Sequence, residues 1–78
     1  MTAIIRPYGD TAALIEFTRD DGATPNAMAL NRVLRAEDPQ GIVSTTPSYD
    51  SILVTFDTAK TSYSKVHATL VALLERAH

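Results

Sequence analysis

Asp10 and Asp50 are the residues whose type and setting best suit acid–base work. Each sits between apolar runs, in IIRPYGDTAALIEF (residues 4 to 17) and TPSYDSILVTFD (residues 46 to 57). A general acid and its base must both reach one reacting centre. Nucleophilic chemistry would instead need a serine or cysteine beside a base. The chain has no cysteine, and its histidines are His67 and His78. His67 falls within an expected helix and reads as a partly solvated position, while His78, the final residue, reads as frayed. Glycines at 9, 22 and 41 stand too far apart to form a phosphate-cradling loop. No metal-like cluster occurs. The residues assign no catalytic group, no metal ligand and no cofactor in this chain, so the question passes to the elements that hold the two aspartates.

Ile4 and Ile5 lead into Pro7-Tyr8-Gly9-Asp10, after which Ala13, Ile15 and Phe17 alternate with Leu14 and Glu16 at the strand period of two. This predicts a hairpin in which Gly9 supplies a positive φ and Asp10 bonds nearby backbone. Pro7 belongs at an edge or at the strand's end. TRDDGA (residues 18 to 23) is a polar break, followed by Thr24 as N-cap and Pro25 at the first helical position. Ala27, Leu30 and Leu34 recur at helical spacing with Val33 beside them, and Asn31, Arg32 and Arg35 fall on the wetter side. Pro39 and Gly41 end that helix. The β-branched runs IVSTTP and SILVTFD flank Ser48-Tyr49-Asp50 and predict a second hairpin, with Ile52, Val54 and Phe56 on one face. A last helix takes Thr61 or Ser62 as N-cap and carries Tyr63, Val66, Leu70, Leu73, Leu74 and Ala77 along one stripe.

The order ββαββα, with one apolar face per helix, predicts an α+β two-layer sandwich: a four-stranded, mostly antiparallel sheet with two helices on one face. Residues 1–78 form a single domain on this reading. If the second and third strands are parallel neighbours joined by the helical crossover, the two hairpin tips lie at opposite ends of the sheet. A joint site from Asp10 and Asp50 is then disfavoured, and each reads as a turn residue. Tyr8 and Tyr49 offer apolar area with a hydroxyl handle, which suits either an interface anchor or packing over the sheet end. Arg6 is an ion-pair donor to Asp10 or Glu16.

At 78 residues the chain buries only about 60–65% of its unfolded surface, so a partner would help it. Seven Lys and Arg against nine Asp and Glu leave no basic stripe, which argues against nucleic acid as a ligand. No segment reaches the roughly 20 apolar residues of a membrane span, and no secretory pattern opens the chain, so a cytoplasmic location is expected.

Arg6, the Gly9-Asp10 pair before TAALIEF, NRVLRA, GIVSTTPSYDSILVTFD, and TSY opening the last helix together resemble the N-terminal domain of the KipI family. That family is also known as allophanate hydrolase subunit 1, and it supplies the smaller of two companion subunits in a bacterial 5-oxoprolinase. The resemblance spans nearly all of the chain. It implies a non-catalytic, accessory domain that works with a larger partner of the KipA type, the larger companion in that 5-oxoprolinase. In the 5-oxoprolinase setting the full complex uses ATP to open 5-oxoproline to glutamate; related sequences form the carboxyltransferase part of urea amidolyase. The family also includes an inhibitor of a sporulation histidine kinase, which gives the alternative, regulatory reading. Self-association through an exposed sheet face is the third. Family members usually continue into a cyclophilin-like C-terminal domain, which is expected to be absent here. The matched positions Arg6, Gly9, Asp10, Pro47, Ser48, Tyr49 and Ser51 carry over as a structural and interface signature, with Tyr8 joined to them as a tip residue. Ser64 replaces the acidic residue that relatives often use to close a capping box.

Overall fold

The computed structural model describes residues 3–17 and 23–77. Strands β1 (Ala3–Pro7) and β2 (Ala12–Phe17) precede helix α1 (Ala23–Glu37). Strands β3 (Ile42–Pro47) and β4 (Ser51–Phe56) then lead to helix α2 (Tyr63–Ala77). This is the ββαββα order predicted from the sequence. The polar break at residues 18–22 and His78 lie outside the described residues.

All four strands join one sheet in the order β1-β2-β4-β3, and every neighbouring pair is antiparallel. One premise of the sequence reading is thereby corrected. β2 and β3 do run in the same direction, as the α1 crossover requires, but β4 lies between them. The strand compositions account for this: β4 buries Ile52, Val54 and Phe56 and half-buries the residues between, so it takes a central place. β3 ends in Pro47 and carries a bulge between Ile42 and Ser44, two features that suit an edge and would damage a sheet centre.

The period of two becomes the core. Ala13 pairs with Val54 and Ile15 with Ile52, so the core side chains of β2 and β4 share one face, while the small Ala12 is buried on the other. Both helices lie over that face, α1 through Ala27, Leu30 and Leu34 and α2 through Val66, Leu70 and Leu73. A one-residue slip of either strand would turn this whole set to water, so the pattern also fixes the register. Tyr63 and Leu74 complete the α2 stripe as half-buried members; the Ala77 side chain lies outside the described set.

The helix ends differ in detail from the sequence reading. α1 starts at Ala23, so Thr24 and Pro25 lie inside its first turn. Proline is tolerated there because the first N–H groups have no intrahelical partner. At the other end Asp38 takes φ +46 and its N–H donates to the Leu34 carbonyl at 2.9 Å, a left-handed stop placed before Pro39. Gly41 follows at φ +88. Of the two caps considered for α2, Ser62 is the one used. Its carbonyl accepts from Val66 N–H at 2.9 Å, and its Oγ accepts from Lys65 N–H at 3.4 Å. Arg76 on α2 forms an ion pair with Glu37 on α1.

Candidate functional site

The first hairpin tip closes where Tyr8 N–H donates to the Ala12 carbonyl at 2.9 Å, with Gly9 at φ +68 making the reversal. Tyr8 is 58% exposed, and Asp10 is exposed beside it. Pro7 ends β1, which is an edge strand, so both places foreseen for it coincide. The second tip is a tighter turn in which Ser48 N–H donates to the Ser51 carbonyl at 2.7 Å. Pro47 precedes it as the last residue of β3, and Tyr49 projects with 70% exposure.

The strand directions decide whether the tips can cooperate. Ala12 faces Thr55 and Glu16 faces Ser51, so the Gly9-Asp10 tip lies beyond the end of β4 and the Tyr49-Asp50 tip before its start. Backbone bonds tie each tip to the neighbouring strand end: Phe56 N–H to the Thr11 carbonyl at 2.8 Å, and Phe17 N–H to the Asp50 carbonyl at 2.9 Å. A strand of six residues separates them, roughly 17 Å at about 3.3 Å per residue. Carboxylates that act together on one bond stand about 5–10 Å apart. Asp10 and Asp50 are therefore turn residues at opposite ends of the sheet, not a pair. His67 lies on α2, half-buried, with its ring 5.8 Å from that of Tyr63 and tilted by 49°. Among the described residues no group of three or more His, Cys, Asp or Glu could hold a metal ion.

Arg6 resolves the choice between its two candidate acids. Its Nη2 lies 2.8 Å from Glu16 Oε1, diagonally across the β1–β2 pair and on the sheet face away from the helices. That face also carries Ile4, Leu14 and Leu53, with Ser44 Oγ and Thr55 Oγ1 2.5 Å apart across β3 and β4. No helix covers it.

A second surface gave no separate signal in the residue pattern. α1 and the edge strand β3 enclose two adjoining hollows of about 370 and 420 Å³ that share Arg35. One is bordered by Leu34, Ile42 and Thr45, the other by Met28, Asn31, Arg32 and Pro47. Arg32 and Arg35 are exposed as expected, but Asn31 is half-buried, and its Oδ1 is shielded from solvent without a hydrogen-bond partner. The sequence held one hint: Arg32 has no acid three or four residues away, so no helix-surface pairing accounts for it.

The profile of a known family, described as carboxyltransferase domain, subdomain C and D, matches residues 3–78. The chain belongs to this family. A conserved uncharacterized protein of Pyrococcus horikoshii is similar in structure, with TM-score 0.86 and 33% identity over 95% of this chain and 35% of its own. Kluyveromyces lactis urea amidolyase has TM-score 0.85 at 21% identity, over 97% of this chain and 5% of its own. The N-terminal domain of the histidine kinase inhibitor KipI from Bacillus subtilis has TM-score 0.82 at 17% identity, over 97% of this chain and 87% of its own. The last two likenesses are of fold alone. The expected kinship with the KipI N-terminal domain is thus met by the carboxyltransferase subdomain C and D family. No curated protein matches in sequence. The chain spans about a third of the archaeal relative, and the fold recurs as a small part of much longer chains.

Proposed function

We propose that this chain is an accessory domain of a carboxyl-transferring or amide-hydrolysing assembly, binding a larger companion subunit of the KipA or 5-oxoprolinase type and contributing shape to it. The carrying observation is the family match over residues 3–78, joined to a geometry that separates Asp10 from Asp50 by the length of a strand. On this reading ATP and 5-oxoproline, or another small amide, are handled by the complete assembly. A cytoplasmic setting follows from the same reading, and no helix among the described residues is long and apolar enough to cross a membrane.

The test is reconstitution. The 78-residue chain alone should give no ATP-dependent turnover of 5-oxoproline; measurable turnover by it would overturn the proposal. Copurification with a larger subunit should be weakened by Tyr49→Ala or Asp10→Ala if the tips dock. If Tyr49 is an interface anchor, Tyr49→Ala should weaken copurification while the melting temperature is preserved. A marked fall in melting temperature would make Tyr49 a turn residue instead. A kinase-inhibiting role draws support from the fold of the KipI domain alone, and that likeness stands at 17% identity.

A further inference from the structure

We infer that the groove between β3 and α1 binds an extended, acidic segment of a partner protein, which adds to the sheet beside β3. The inference deepens the docking reading above and places the contact on a different surface from the hairpin tips.

Backbone geometry makes β3 receptive. Ser48 and Ser51 form a hydrogen-bonded pair at the turn, so Thr46 with Leu53 and Ser44 with Thr55 are the next bonded pairs along the hairpin. Thr45 and Pro47 occupy the alternate positions, and their backbone groups point away from β4. The free edge therefore presents the Thr45 N–H and carbonyl and the Pro47 carbonyl. At the other end the bulge leaves Val43 68% exposed and interrupts pairing, which confines an added strand to the part from Thr45 onward. An edge strand backed by a helix is the arrangement by which several recognition domains add a peptide to a sheet, main chain giving affinity and alternate side chains giving selectivity.

Chemistry of the groove selects the occupant. Arg32 and Arg35 line it and have no acidic partner among the described residues. Met28, 56% exposed, adds apolar surface. The one carboxylate on the groove is Asp38, at the Ile42 end. An acidic side chain is thus drawn to the Pro47 end, where Arg32 lies. A second copy of β3 would bring IVSTTP, which has no carboxylate, and would leave both arginines unanswered.

Nuclear magnetic resonance titration of the 15N-labelled chain with synthetic octapeptides tests this. The probes are alternating Val/Thr peptides with glutamates near the amino end, and the same peptides with lysine in place of glutamate. The acidic set at millimolar concentration should shift the Thr45 amide and the Arg32 and Arg35 side-chain resonances, and added salt should weaken it. Arg32→Ala and Arg35→Ala should each reduce affinity up to about fivefold. Thr45→Pro removes the free donor at a position that makes no bond to β4, so it should abolish binding while the other β3 and β4 amides keep their dispersion. Equal binding of the lysine set, shifts confined to β1, or no shift with any acidic peptide would overturn the inference. So would shifts at β3 that depend only on protein concentration, which would make the occupant a second copy. Loss of copurification on mutating the tips, with peptide binding at β3 intact, would leave this inference standing; the converse would relocate the partner contact to the groove.

Discussion

Gly9 and Gly41 have nearly the same backbone and very different surroundings, which makes them a controlled pair. Their φ values are +68 and +88, in the left-handed region where an L side chain costs about 1–2 kcal/mol. At Gly9 an added Cβ meets nothing within 4 Å, so Gly9→Ala should cost that amount and no more. At Gly41 the same Cβ would stand 2.7 Å from Thr61 Cγ2 and 2.9 Å from Thr61 Cβ. The methyl group can rotate away; Cβ, fixed to the backbone, cannot. Overpacking of this kind adds about 1–3 kcal/mol, so Gly41→Ala should cost about 2–5 kcal/mol. The gain from a stiffer unfolded chain is common to both substitutions and cancels in the comparison. A chain of this size has a total stability of roughly 4–12 kcal/mol, so the second substitution removes a large share of it.

Urea unfolding followed by circular dichroism reads this as a fall in midpoint at constant slope. The decisive arm is a double-mutant cycle. Thr61→Gly removes both offending atoms, so in that background Gly41→Ala should cost only the backbone part, leaving a coupling of about 1–3 kcal/mol. Equal losses at the two glycines, or strict additivity with Thr61→Gly, would refute the steric argument and the placement of the α2 entry against the start of β3.

Arg6→Ala should cost no more than about 1 kcal/mol, because both members of the Arg6–Glu16 pair are well exposed, with side-chain exposures of 55% and 43%; chemical denaturation at low and high salt would check it, the loss shrinking as salt rises. Asp38→Gly should raise stability by up to about 1 kcal/mol, since it relieves a left-handed backbone at φ +46 against the extra entropy of an unfolded glycine; a lower melting temperature would mean that the aspartate side chain supports the turn.

Much of the fold is legible in the residues because one face of each element is buried. Ile52, Val54 and Phe56 announce their shared face by period alone, as Val66, Leu70 and Leu73 do at helical spacing. Strand order is not announced in this way. β3 and β4 dock as a unit, and only weighing which of them tolerates solvent, through Pro47 and the bulge at Val43, puts β4 inside. The tips were legible as turns, and their separation followed even from a wrong neighbour assignment, because both arrangements keep β2 and β3 in the same direction. The left-handed Asp38 was hidden: proline at the next position predicts an extended residue, and the need to end α1 after Leu34 prevails. Arg32 and Arg35 read as an ordinary solvated face, and only their position opposite Pro47 makes them part of a groove.

The same division of surfaces explains how one small fold can serve in proteins as different as a urea amidolyase and a kinase inhibitor. The two helices consume one face of the sheet and leave the other, with Ile4, Leu14 and Leu53 around the Arg6–Glu16 pair, uncovered. Of the two edges, β3 has a charged, grooved helix beside it. An open face is suited to packing against a rigid neighbouring domain, since its area is broad and its backbone groups are already paired. A groove with an unpaired backbone donor, unpaired carbonyls and two unanswered arginines is suited to a linear segment, because only an extended chain can meet both at once. Docking a neighbour on the face therefore leaves the β3 edge open to an added strand, because the two surfaces do not overlap.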